Sequence, residues 1–68
     1  MGVKMKEHPK TWKWHRAYAN IPIPLRDKEI LAVVNNEPMT AQVINMEVSN
    51  KTDIGFKCLE QLIKMGVI

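Results

Sequence analysis

The strongest constraint on this chain lies near its C-terminal end, in the run KTDIGFKCLEQLIKM at 51–65. Ile54, Cys58, Leu59, Leu62 and Ile63 recur at helical intervals and so share one stripe of a helix. Gly66 follows where a C-terminal glycine cap is expected. Asn50 is a suitable N-cap for this helix, and Asp53 then sits at its third position, near the positive end of the macrodipole. A helix with one apolar stripe needs neighbours to cover it. Thr40 caps AQVINMEV, where Ala41, Ile44 and Val48 share a face and predict a short second helix. Asp27 caps KEILAVVNN, where Ile30, Leu31, Val33 and Val34 predict a first helix that Asn35 and Asn36 end. Glu37-Pro38-Met39 and Ser49-Asn50 are read as the connecting turns. The expected fold is mainly α, a three-helix core over residues 26–68 in which Val67 and Ile68 leave the last helix as an extended end.

Residues 1–25 read as a separate basic arm and strap. In KTWKWHRAYAN, Trp12 and Trp14 alternate as on a strand, while Trp14 and Tyr18 are spaced i,i+4 as on a helix. Thr11 as an N-cap, Ala17, Ala19 and the terminating Asn20 favour a short extra helix. Pro22 and Pro24 push their predecessors out of the α region, which predicts an extended Ile21–Leu25 strap with Ile21, Ile23 and Leu25 facing the core.

A chain of 68 residues has room for one small core and none for a separate catalytic domain, so an enzyme is not expected. No glycine-rich phosphate loop, nucleophile elbow or purposeful carboxylate pair is present. The lone Cys58 rules out an internal disulfide and suits a reducing compartment and a core position. His8, His15 and Cys58 lack close metal-ligand spacing, so neither metal nor cofactor is expected. No apolar stretch matches a membrane span, and the N-terminus does not read as a signal peptide; a cytoplasmic protein without membrane partners is expected. Residues 1–26 carry six cations against Glu7 alone, a net +5, whereas the remainder has four lysines and six carboxylates, a net −2. Such a basic segment can engage an anionic partner.

The stretch PMTAQVINMEVSNKTDIGFKCLEQLIKMGVI resembles the winged helix-turn-helix families of transcription regulators. Their members read as a helix, Pro-hydrophobic-Thr, a short helix, a turn, and a recognition helix ending in leucines and Gly-hydrophobic-Ile. Pro38, Met39, Thr40, Ala41, Ile44, Leu59, Leu62, Gly66, Val67 and Ile68 carry the resemblance, which covers the last 43 residues when the helix from Arg26 is counted. Each has a physical role: Thr40 caps, Ala41 permits close crossing, Ile44 and Leu59 fill the core, Gly66 turns the chain. The chain departs from the pattern at Val48-Ser49-Asn50, where a glycine is usual. It also ends at Ile68, where a wing would begin, so the wing is expected to be absent or reduced, or the chain to be part of a longer one.

What the resemblance implies is duplex DNA binding by a small regulator, expected as a homodimer because one recognition helix reads few base pairs. Asn50, Lys51, Thr52, Asp53, Phe56 and Lys57 would face the major groove, and Ser49 a phosphate. Lys13 and Arg16 in the arm would contact the backbone. Asp53 repels phosphate unless it accepts from a cytosine amino group. On this reading, deleting residues 1–20 weakens DNA binding and leaves the helices folded. The alternative is a protein-interaction module of the same fold, docking through the Phe56 side of the third helix or through the tryptophan-bearing segment. A third reading binds single-stranded nucleic acid through Trp12 and Trp14, each of which could instead supply core area.

Overall fold

The computed structural model describes residues 8–68. They form α1 (Thr11–Ala19), a 3₁₀ turn (Ile23–Leu25), β1 (Ile30–Val34), β2 (Glu37–Thr40), α2 (Ala41–Ser49) and α3 (Asp53–Lys64). Three helices and a two-stranded antiparallel sheet make the fold mixed α/β rather than mainly α.

The difference lies in residues 27–36, where the expected helix is replaced by the first half of a β-hairpin. Ile30, Val33 and Val34 are β-branched and suit a strand. Asn35 and Asn36 take φ of 55° and 66°, the pair of left-handed conformations that a two-residue type I′ turn requires and that asparagine tolerates. Residues expected to stop a helix therefore reverse the chain. Val34 pairs with Glu37, Val33 with Pro38 and Ala32 with Met39, so the expected turn at Glu37-Pro38-Met39 belongs to β2. Ala32 and Val34 face the core while Ile30 and Val33 remain exposed.

Val33 turns its backbone away from β2. Its N–H donates to Gln61 Oε1 at 2.8 Å, and its carbonyl accepts from Gln61 Nε2 at 2.8 Å. One side-chain amide on α3 thus occupies the outer edge of β1 as a neighbouring strand would. Pro38, opposite Val33, has no ladder hydrogen bond to lose.

The segment expected as an arm supplies the first helix of the core. Trp14 is 1% exposed and packs with Ala32, Val34, Met39, Ala41, Ile44, Val48, Cys58, Leu59 and Leu62. Its indole N–H donates to Asn45 Oδ1 on α2 at 3.1 Å. The helix falls where expected, but its N-cap is Lys10 rather than Thr11, whose hydroxyl donates to the His8 carbonyl at 2.8 Å. Residues 8–20 are accordingly part of the folding unit. Removing Trp14 alone forfeits about 3–5 kcal/mol, as for any large aromatic truncated in a core, so deletion of residues 1–20 is expected to unfold the domain.

The strap is also different. Pro22 is extended, but Ile23–Leu25 close into a 3₁₀ turn. Ile21 packs against the core, whereas Ile23 is 74% exposed and Leu25 is exposed as well. The Arg26 guanidinium lies 4.3 Å above the Tyr18 ring, and its Nε donates to the Ile21 carbonyl at 3.0 Å. Gln42 N–H donates to the Arg26 carbonyl at 2.7 Å and ties the turn to the start of α2.

The two C-terminal helices follow the sequence closely. Thr40 caps α2 by accepting from Val43 N–H at 3.3 Å. α3 begins two residues later than expected: Asn50 ends α2, and Thr52 is the N-cap, accepting from Gly55 N–H at 3.0 Å. Gly66, with φ of 75°, closes α3, with Gly66 N–H on the Ile63 carbonyl and Val67 N–H on the Leu62 carbonyl.

Candidate nucleic-acid interface

Of the residues expected to contact DNA, Ser49 to Asp53, Phe56 and Lys57 lie at the turn between α2 and α3 and along α3, whereas Lys13 and Arg16 lie on α1; the turn has a specific construction. Lys51 N–H donates to the Val48 carbonyl at 3.1 Å and Thr52 N–H to the Glu47 carbonyl at 3.1 Å. This double closure is a Schellman motif, and its left-handed position is occupied by Lys51 at φ 54°. The glycine usual in such turns is thus replaced by a lysine, one residue beyond the turn expected at Ser49-Asn50. Thr52 locks the corner further, because its hydroxyl donates to Glu47 Oε1 at 2.6 Å while accepting from Gly55 N–H.

Gly55 sets how closely α2 and α3 approach. A Cβ there would lie 2.6 Å from the Glu47 carbonyl oxygen, well inside contact distance. The close crossing expected at Ala41 is made at Gly55, although Ala41 is fully buried.

Ser49, Asn50 and Lys51 are exposed at this corner, and Asp53 and Lys57 follow along the outer side of α3. Lys57 Nζ lies 3.4 Å from Asp53 Oδ2, an exposed i,i+4 pair. Glu60 and Lys64 continue the exposed stripe, so the outer side of α3 carries two anions and two cations. Glu60 and Lys64 are not among the residues expected from the sequence to form the site, although their spacing from Asp53 and Lys57 puts them on one face.

Thr52 and Phe56 are engaged within the fold. The Thr52 hydroxyl is held within the corner, as above. Phe56 is half-buried under the His8 imidazole, with ring centroids 4.6 Å apart. His8 is buried, accepts at Nδ1 from Lys10 N–H at 2.9 Å, and places Nε2 3.4 Å from Glu60 Oε1. This side chain fastens the start of the N-terminal helical segment against the middle of α3. No sequence signal links His8 to Phe56, because the two rings meet only in the folded chain.

From His8 to Arg26 the sequence has four cations, Lys10, Lys13, Arg16 and Arg26, and no carboxylate. Arg16 is exposed and Lys13 half-buried, its ammonium 5.7 Å from the centroid of the Trp12 ring. The two tryptophans separate cleanly: Trp14 is core and Trp12 is 56% exposed. Lys4 and Lys6, also expected in the basic segment, lie outside the described residues.

Among the described residues no group of three His, Cys, Asp or Glu side chains is arranged to hold a metal ion, and no helix is long and apolar enough to cross a membrane. Cys58 is buried in the core, and burial together with the Glu47 carboxylate pushes its thiol up to about 11. It is poorly disposed to act as a nucleophile. Comparison of the chain with known protein families, curated proteins and solved structures gives no match.

Proposed function

We propose that this protein binds double-stranded DNA, with α2, the Lys51 corner and α3 acting as a helix-turn-helix of the winged-helix kind. In this reading α1 takes the place of the first helix of the trihelical unit. The observation that carries it is the corner itself: α3 is held at close approach to α2 by Gly55, its N-terminal end is capped by Thr52, and Ser49, Asn50 and Lys51 stand exposed beside it. An exposed helix start with fixed orientation is what entry into a major groove requires.

The charge distribution divides the labour. α3 is balanced along its outer side, so it offers base-edge contacts rather than bulk attraction, and Asp53 can accept from a cytosine amino group. The Asp53–Lys57 pair is exposed and worth only about 0–1 kcal/mol, so Lys57 exchanges it readily for a phosphate. Backbone attraction comes from Lys10, Lys13 and Arg16, on a segment that His8 fastens alongside α3.

Binding of a labelled duplex pool, followed by anisotropy against salt, tests this. The double variant Lys51→Ala, Lys57→Ala is expected to bind more weakly and to lower the salt slope by about 0.9 for each phosphate that it no longer neutralises. Equal binding by a folded double variant removes α3 from the interface.

A protein-interaction module is favoured by a different observation: the balanced outer stripe of α3, together with Ile30 and Val33, each more than half exposed on β1. Sequence-selective duplex binding at physiological salt counts against that reading.

A further inference from the structure

One surface shares Lys13 and Arg16 with this reading but adds an aromatic face that the reading leaves unused: a groove of about 300 Å³ along α1, lined by Trp12, Lys13, Arg16, Ala17, Asn20 and Ile68. We propose that it binds single-stranded nucleic acid, one unpaired base stacking on Trp12 while neighbouring phosphates meet Lys13 and Arg16. The assignment is independent of whether α3 reads a duplex.

Three features carry it. Trp12 leaves the core that its near neighbour Trp14 enters, and an indole more than half exposed on a small domain presents a flat π face. A base stacks on such a face whatever its identity, and a cation beside the ring adds to the attraction. Lys13 Nζ already lies over that ring, 5.7 Å from its centroid, so the cation and the aromatic are positioned together before any ligand arrives.

The second feature is charge. α1 and the residues on either side of it, from His8 to Arg26, contain no Asp or Glu to oppose a phosphate. Lys13 and Arg16 are one helical step apart, about 5–6 Å between Cβ atoms, a separation that successive phosphates of a flexible strand can match.

The third feature is the groove's own lining. Ala17 adds little bulk to the lining, Ile68 contributes apolar surface, and the Asn20 amide offers a donor and an acceptor to a base edge. An acidic peptide would satisfy the cations but would leave the Trp12 face without a planar partner, which is why nucleic acid is the assigned occupant.

The test uses the full chain and a labelled oligothymidylate, read by anisotropy at low salt, with a labelled duplex and a labelled oligoglutamate as parallel probes. The wild type is expected to bind oligothymidylate more tightly than oligoglutamate. Trp12→Ala is expected to weaken oligothymidylate binding about ten-fold or more, and Trp12→Phe to restore most of it. Lys13→Ala with Arg16→Ala should lower the salt slope by about 1.4, two single-strand phosphates' worth. Circular dichroism verifies that each variant is folded.

Absence of oligothymidylate binding, or binding unchanged in Trp12→Ala, overturns the proposal. So does oligoglutamate binding as tight as oligothymidylate with the same dependence on Trp12, which would make the occupant an acidic peptide. The α3 reading is separated by Lys51→Ala, Lys57→Ala, which should affect the duplex and leave oligothymidylate alone. Equal loss of oligothymidylate binding in that variant also refutes the groove.

Discussion

Replacing Gly55 by alanine should destabilise this protein through one contact whose geometry is fixed. The added Cβ would lie 2.6 Å from the Glu47 carbonyl oxygen, 2.7 Å from the Glu47 carbonyl carbon and 2.8 Å from the Val48 nitrogen, where ordinary contact begins at 3.4 Å. All three are backbone atoms of α2, so no side chain can rotate away. α2 and α3 must separate by roughly 0.8 Å, an overpacking change that costs about 1–3 kcal/mol. Separation also stretches the Thr52 bonds to the Glu47 carbonyl and carboxylate. Alanine recovers about 1 kcal/mol as a better helix former. With the rigid obstacle setting the cost at the upper end of its range, the net loss is about 2 kcal/mol, or a fall in Tm of roughly 8–16 °C for a domain of this size. Thermal melts followed at the helical circular-dichroism band read this directly. Gly66→Ala is the control, because nothing lies within 4 Å of its Cβ and only φ of +75° opposes it. Its cost is about 1 kcal/mol, that of the left-handed conformation alone. A Gly55→Ala protein melting within about 2 °C of the wild type would refute the close-crossing argument.

Lys51→Gly should stabilise the chain by about 0.5 kcal/mol, the relief of left-handed strain less the added freedom of the unfolded state, and denaturant midpoints check it; if duplex binding weakens in the same variant, stability and affinity move in opposite directions. Gln61→Ala removes both hydrogen bonds to the Val33 backbone, and should cost about 1 kcal/mol and deprotect the Val33 amide; unchanged hydrogen exchange at Val33 would show that the edge is guarded some other way. Cys58 is raised from 9.0 to about 11 by burial first and by Glu47 second. Its folded value lies above the unfolded one, so its contribution is complete below pH 9 and is lost as pH rises towards 11. Urea midpoints should fall across that window in the wild type and less steeply in Cys58→Ala.

The sequence alone determined the elements whose signals are local. Thr40 capping α2, the stripe of Cys58, Leu59 and Leu62 on α3, and Gly66 closing it are each readable because a cap bonds within three residues and a helical stripe repeats within one or two turns. The sequence favours a helix over a strand for α1, which ends at Asn20 as expected, although its N-cap is Lys10 rather than Thr11. Ser49, Asn50, Lys51, Asp53 and Lys57, singled out from the sequence, are exposed at the α2–α3 corner and along α3, and they share that region because they lie within nine residues of one another in the chain.

Only the tertiary structure decided the rest. Ile30–Val34 is an apolar run too short to fix its own period, and it becomes a strand because Asn35–Asn36 reverse the chain onto β2 and Gln61 holds its other edge. Trp14 and Trp12 are alike in sequence context, and their fates differ because one side of α1 meets Asn45 and the core while the other faces solvent. Gly55 could be a weak helix residue in any chain; it is required here by the backbone of α2 crossing over it. Such contacts join residues far apart in the chain, and their energies exist only once the elements have met.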